Sequence, residues 1–290
     1  MTKMTFLGTG TSQGIPMIGC TCPVCRSADP RDKRLRSSVL VEYEGLSILV
    51  DAGPDFRQQM LRENISHLDA ILLTHNHKDH TGGLDDVRSF NLLEGHPVNI
   101  YCEPYVMESL KREYAYAFAE PRYPGSPEWQ VHPIGPDSPF TVHSNAWEEC
   151  LHWDSGKGYY WTPASEEAIA AHPETATIIP VRGWHDRVGK LSVLGYRFGE
   201  LAYMTDIASI DEKELEKLRG VRVVTVNCVK RGPHLSHFSL DEAIGFFRKV
   251  GAERSYLTHL SHMLPCHAEL EAELAPQGIS VAWDGLKVEI

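Results

Sequence analysis

Thr74-His75-Asn76-His77-Lys78-Asp79-His80 follows the apolar run Ile71-Leu72-Leu73 and puts three imidazoles and one carboxylate within six positions. Such a cluster is costly to hold in a fold unless something binds it. Imidazole and carboxylate together suit borderline divalent metals. Four ligands this close on one loop do not easily converge on one tetrahedral ion, so two adjacent ions are the natural reading. A histidine-rich tract of mere composition lacks fixed spacing and rarely follows a buried strand. The run reads as a metal site.

Working outward, the segment 68–73 is predicted to be the buried strand that delivers this run, with a helix at 84–93 after it. Other strands also end on ligand-type residues. Asp51 closes Ile48-Leu49-Val50, and His185 stands in Gly183-Trp184-His185-Asp186. Asp206 follows Tyr203-Met204-Thr205, and His259 follows Tyr256-Leu257-Thr258. A strand end fixes the backbone while the loop aims the side chain, which suits a ligand. The remaining pattern predicts strands at 4–7, 37–42, 46–50, 98–101, 177–182, 191–198, 200–204 and 221–226, with a last core strand at 254–258. Helices are predicted at 55–62, 106–118, 211–218 and 239–250. The stretch 121–180 is rich in Pro, Gly and Trp, and about 147–174 reads as an insertion or surface loop. Strand-and-helix halves of this kind favour one α/β sandwich spanning 1–290 over separate domains.

The chain has 290 residues, a net charge of −11 and seven cysteines. That length supports a sizeable core. The acidic balance disfavours a broad footprint on nucleic acid or a stable complex with it. It leaves room for a small phosphorylated substrate, because bound cations would dominate the local field. No apolar stretch reaches the length of a membrane span, and Met1-Thr2-Lys3-Met4-Thr5-Phe6-Leu7 has no signal-peptide layout, so a cytoplasmic protein is expected.

The His75–His80 run, with Asp51, His185, Asp206 and His259, resembles the metallo-β-lactamase superfamily along nearly the whole chain. The resemblance implies a four-layer αββα sandwich with a dinuclear metal site. By the family's pattern His75, His77 and His185 would hold one ion, Asp79, His80 and His259 the other, and Asp206 would bridge both. Asp51 matches an early aspartate that hydrogen-bonds a ligand and fixes its orientation. True β-lactamases typically carry Cys at the bridging position, whereas hydrolases of phosphoesters and thioesters carry Asp. Met204-Thr205-Asp206 therefore argues against a β-lactam substrate.

Gly19-Cys20-Thr21-Cys22-Pro23-Val24-Cys25 supplies three thiols spaced for a zinc knuckle at 19–26, and a closed tetrahedral site needs a fourth ligand. His262, Cys266 and His267 compete for that place. This knuckle, Gly8-Thr9-Gly10-Thr11-Ser12-Gln13-Gly14-Ile15-Pro16 and Thr258-His259-Leu260-Ser261-His262 together resemble the PhnP-type branch of metal-dependent phosphodiesterases. Ala282-Trp283-Asp284-Gly285-Leu286 is similar to that branch's closing segment. The resemblance implies a structural zinc on Cys20, Cys22, Cys25 and His262, and Zn²⁺ or Mn²⁺ as the dinuclear pair.

The reaction it implies is hydrolysis of a small cyclic ribose or nucleotide phosphodiester. Two ions would lower the pKa of a bridging water and offset charge on the phosphate. Asp79 and His237 are assigned as catalytic residues. His237, in Pro233-His234-Leu235-Ser236-His237-Phe238, matches the branch's additional active-site histidine and is expected to contact phosphate or protonate the leaving oxygen; His234 is the weaker alternative. The rival readings are a thioester or ester hydrolase on the same ligands, an RNase Z-like endonuclease, and a non-catalytic metal-binding scaffold. Analogy with the family implies a homodimer.

Overall fold

A computed structural model describes residues 1–123 and 125–290. The chain divides into two compact units, one of Met1–Val39, Pro136–Pro139 and Ile178–Ile290, the other of Leu40–Gly135 and Phe140–Thr177. Among the described residues no helix is long and apolar enough to cross a membrane.

In the second unit the hairpin of residues 40–43 and Leu46–Val50 turns at Glu44 and Gly45, both at positive φ. Leu46–Val50 then pairs in parallel with Ala70–Leu72, which pairs with Val98–Cys102, which pairs with Trp129–Pro133. Parallel neighbours need crossovers, and the helices Phe56–Glu63, Arg88–Glu94 and Pro104–Glu113 lie in those connections. Ala70–Leu72 and Val98–Cys102 are buried at every position, which accounts for the unbroken apolar run at 70–73. Asp51 and His75 both follow the carboxyl ends of such strands, so the fold brings the early aspartate and the histidine run to the same end of the sheet.

The expected insertion is structured. Glu149–Asp154 and Gly158–Pro163 form an antiparallel hairpin, followed by the short helix Glu166–Ala170. No residue of the hairpin is buried, so it carries no core-facing apolar alternation for a sequence reading to find. Its anchors are the Leu151 N–H donating to the Gly95 carbonyl (2.6 Å) and Trp147 stacked on His96 at 4.7 Å. Gly95 and His96 precede Val98–Cys102, so these anchors lie at the opposite end of the parallel strands from the histidine run.

In the first unit Ser192–Phe198 pairs antiparallel with residues 179–184 and with Leu201–Tyr203. Leu201–Tyr203, Val223–Asn227, Arg254–Thr258 and Ile279–Val281 then run parallel. The expected last core strand is thus followed by two more, each three residues long: Ile279–Val281, reached through the helix His267–Leu274, and Lys287–Glu289, which pairs antiparallel with Lys3–Gly8. Leu240–Val250 opens on a Ser239/Glu242 capping box and stops at Gly251 in the left-handed region, and Phe246, Phe247 and Ala243 enter the apolar core with Val224, Val226 and Leu257. The predicted helix at 106–118 is two pieces, Pro104–Glu113 and a 3₁₀ turn Ala115–Ala117, with proline at the first helical position.

The loop after the histidine run is held by close backbone packing. The Gly83 N–H donates to the Ala52 carbonyl at 2.8 Å. A Cβ at Gly83 would lie 2.1 Å from the Gly53 oxygen and 2.6 Å from Phe56 Cβ. Gly83→Ala is expected to cost about 1–3 kcal/mol of stability through this overpacking, read as a lower denaturant midpoint at unchanged slope; an unchanged midpoint contradicts the packing argument.

Candidate metal centre

In the second unit Asp51, fully buried and at φ 65°, is the hub. One carboxylate oxygen accepts the Thr74 N–H at 2.9 Å; the other accepts the Thr74 hydroxyl at 2.9 Å and His80 Nδ1–H at 2.6 Å. The Thr74 hydroxyl proton is thereby used, so its oxygen accepts from His75 Nδ1–H at 3.0 Å. His77 precedes the one-turn helix Lys78–Thr81, whose His80 and Thr81 N–H groups return to the His77 carbonyl. That turn brings the His75 ring within 4.5 Å of His77 and 4.4 Å of His80, and sets Asp79 Oδ2 3.2 Å from His80 Nε2. Burial pushes the Asp51 carboxyl up, opposed by the charge and hydrogen bond of His80.

The first unit repeats this logic with other partners. His185 Nδ1–H donates to the Asp206 carbonyl at 2.7 Å. The Ser37 hydroxyl donates to the Gly10 carbonyl at 3.0 Å, so its oxygen accepts His259 Nδ1–H at 3.1 Å. Asp206 and His259 sit at φ 58° and 52°. With Asp51 they are strand-end side chains held in a sparsely populated backbone region, the pattern of strain kept at a functional site. Asn227 holds the Asp206 turn by accepting the Ile207 N–H and donating to its carbonyl, at 2.9 and 3.0 Å. The Thr205 hydroxyl donates to Asp206 Oδ2 at 2.5 Å, while Oδ1 lies 3.1 Å from His259 Nε2.

Four imidazoles are therefore assigned the same tautomer by four acceptors: a carboxylate, a carbonyl and two hydroxyls whose own protons are spent elsewhere. In each the proton is on Nδ1 and Nε2 carries the lone pair. His80 Nε2 faces Asp79, and His259 Nε2 faces Asp206, at 3.2 and 3.1 Å. Two acceptors at that distance require a cation between them, a proton or a metal ion. The donor set, the fixed tautomers and these acceptor pairs fit a divalent metal.

His237 joins the first unit's group. Its ring centroid is 4.8 Å from His185, 4.9 Å from His259 and 5.1 Å from His234, and Nδ1 is 3.8 Å from Asp206 Oδ1. The Phe238 N–H donating to the Ile207 carbonyl at 2.8 Å ties it to the Asp206 turn. Burial, opposed by Asp206 and reinforced by the imidazoles of His259, His185 and His234, pushes this ring down to about 2.

At the knuckle, Cys20, Cys22, Cys25 and His262 present ligand atoms all within 4.8 Å of one another. His262 Nδ1 lies 3.3 Å from Cys20 Sγ and 3.5 Å from Cys22 Sγ. The competitors have other roles. Cys266 stands at the N-cap position of the helix His267–Leu274, its side chain making no capping bond, and packs beside Ile15 and Val24. His267 Nδ1 accepts from the buried Arg34 at 3.1 Å. The Cys25 N–H and the His262 ring lower the Cys22 thiol to about 6, while burial raises Cys25 to about 11. Sequence reasoning missed Ser37, Thr74 and Asn227, common residue types whose role appears only through their contacts.

A model of the β-lactamase superfamily domain matches residues 47–260. The chain belongs to the metallo-β-lactamase superfamily and to its PhnP-like branch. It is a hydrolase of that fold. A crystal structure of a diphosphatase from the PhnP family is 36% identical, with a TM-score of 0.79 and coverage of 100% of this chain and 98% of the other. A Porphyromonas gingivalis protein named octanoyltransferase is 37% identical over 99% of this chain but only 51% of its own length, so the chain spans about half of that relative. Coenzyme PQQ synthesis protein B of Methylorubrum populi is 26% identical, over 99% of both chains. Zn²⁺-bound PqqB from Methylobacterium extorquens, 20% identical with a TM-score of 0.71 over 99% of this chain and 100% of the other, shares the fold.

Two outcomes are expected. Asp51→Asn, which weakens the acceptor orienting His80 and Thr74, lowers divalent-metal affinity about 10–100-fold in chelator competition; unchanged affinity contradicts the hub role. In metal-free protein, Cys22 is the first knuckle thiol alkylated by iodoacetamide. Its rate falls as pH drops through about 6, where the lowered thiol regains its proton. Faster modification of Cys25 contradicts this.

Proposed function

We propose that this chain is a metal-dependent hydrolase that attacks phosphorus in a small disubstituted phosphate, a cyclic or linear ribose or nucleotide phosphodiester. The carrying observation is Asp206 ringed by three imidazoles, His185, His237 and His259. A carboxylate stands where β-lactam-cleaving members of the superfamily carry a thiol, and a histidine beyond the ligand pattern stands beside it. The 36% identical diphosphatase supports chemistry at phosphorus, and a diphosphate linkage falls in the same class of disubstituted phosphate.

By the family's pattern His75, His77 and His185 would hold one divalent ion, Asp79, His80 and His259 the other, and Asp206 would serve both. Such ions, Zn²⁺ or Mn²⁺, withdraw charge from a phosphoryl oxygen and lower the pKa of water. Asp51, Thr74, Ser37 and the Asp206 carbonyl keep the ligand imidazoles in one tautomer and orientation. Asp79 is assigned to catalysis as well as binding. A bound phosphate anion would supply His237 with the counter-charge that favours its protonated form, and from there it donates to the leaving oxygen. Cys20, Cys22, Cys25 and His262 would hold a structural Zn²⁺ that ties the N-terminal loop to the segment after His259. The net charge of −11 favours a small substrate over a polynucleotide, and a cytoplasmic homodimer remains part of the proposal by analogy.

A second reading, hydrolysis of an acyl thioester on the same ligands, draws support from the relative named octanoyltransferase. Assays of bis-p-nitrophenyl phosphate and of an octanoyl thioester, each with Mn²⁺ or Zn²⁺, separate the two. Turnover of the diester is expected, abolished by His75→Ala and by Asp206→Ala. His237→Ala is expected to lower kcat on the order of 10²-fold with metal content unchanged. Thioester turnover without diester turnover sinks the proposal.

A further inference from the structure

The loop carrying His237, residues 230–238, has little packing of its own: Arg231, Gly232, Pro233 and Leu235 are exposed. It is held at its shoulders. The Val229 N–H reaches the Phe238 carbonyl, and the Leu240 N–H reaches the Lys230 carbonyl. Arg231 forks onto Glu273 on the neighbouring helix. At the crown Arg187 reaches in from another segment: its Nε–H donates to the His234 carbonyl at 2.9 Å. The same guanidinium makes a two-pronged pair with Glu242, at 2.8 and 3.1 Å.

Both ends of this connection carry further hydrogen bonds. Glu242 also accepts the Ser239 N–H and hydroxyl at 2.8 Å each, as part of the capping box of Leu240–Val250. Arg187 projects from a tight loop in which the Asp186 carboxylate accepts the N–H groups of Val188, Lys190 and Leu191, two residues after His185. The effect passes to His237 through His234. The His234 ring lies nearly parallel to the His237 ring, 23° between planes at 5.1 Å. Its Nδ1 accepts the Ser236 N–H at 3.3 Å, which sets the ring's direction.

We infer that Arg187 and His234 are positioning residues for His237: the Glu242–Arg187 fork fixes the His234 backbone, and the His234 ring buttresses the His237 ring against Asp206. Neither is assigned contact with reacting atoms. As a stability device the fork is worth little, since both partners are more than a third exposed. Its worth is geometric: a planar guanidinium bonds carbonyl and carboxylate at once, which a lysine ammonium reproduces only in part.

The inference rests on the proposed role of His237, and the test separates the two. Wild type, Arg187→Ala, Arg187→Lys, His234→Ala, His237→Ala and the Arg187→Ala/His237→Ala double variant are compared on bis-p-nitrophenyl phosphate and on a diester with an alkoxide leaving group. Amide hydrogen exchange at Phe238 is followed in the metal-loaded proteins. Arg187→Ala and His234→Ala are each expected to lower kcat about tenfold on the alkoxide diester, less on the nitrophenyl diester, with KM nearly unchanged; Arg187→Lys recovers part of the loss. In the double variant the Arg187 effect disappears, because the residue it positions is gone. Phe238 exchange quickens in Arg187→Ala. Additive losses in the double variant, or unchanged Phe238 exchange, overturn the inference. An equal loss on both substrates in His237→Ala instead overturns the leaving-group role, and the exchange result then still decides whether Arg187 anchors the loop.

Discussion

Asp51 is a carboxylate removed from water at the end of a central strand, in a backbone conformation that a β-carbon disfavours. Nothing in an apolar core tolerates such a group unless its lone pairs are met. They are met by Thr74 and His80, and meeting them dictates the rest. The Thr74 hydroxyl, having spent its proton on Asp51, can only accept from His75. One buried charge thus sets the tautomers of two imidazoles on the next strand end. The sheet register supports it: Val50 pairs with Leu72, so the loops leaving both strands emerge together.

The first unit reaches the same outcome through other acceptors. A carbonyl orients His185, and a hydroxyl already committed to Gly10 orients His259. The chemistry of the acceptor differs, but its consequence for the ring is identical. That convergence is what a metal site demands and what a solvated histidine-rich surface has no reason to produce. His237 departs from it. Its Nδ1 is buried without a hydrogen-bond partner among the described residues, and its position comes from packing between other imidazoles and from the Phe238 backbone bond.

Much of this was legible in the amino-acid order because the decisive residues sit at strand ends. A strand that closes within a few residues on Asp or His is a local pattern, and Asp51, His75, His185, Asp206 and His259 all follow it. The supporting shell was not legible. Ser37 and His259 are 222 positions apart, and serine is too common to carry a signal at such range. The fourth knuckle position was ambiguous for a related reason: His262, Cys266 and His267 are all suitable donors, and only the turn after His259 decides which faces the thiols. The 149–163 hairpin escaped notice because its strands bury no residue and lack an apolar period. Its anchors, away from the histidine run, make it an addition to the far end of the sheet.

The central claim is that water attacks phosphorus. It is tested most directly by running the metal-loaded enzyme on a phosphodiester in ¹⁸O-enriched water and reading the phosphate product by ³¹P NMR. The account predicts an isotope-shifted phosphorus resonance, with one solvent oxygen incorporated into phosphate per bond broken. Turnover that leaves the phosphate unlabelled, with the solvent oxygen on the alcohol or acyl fragment, would contradict it.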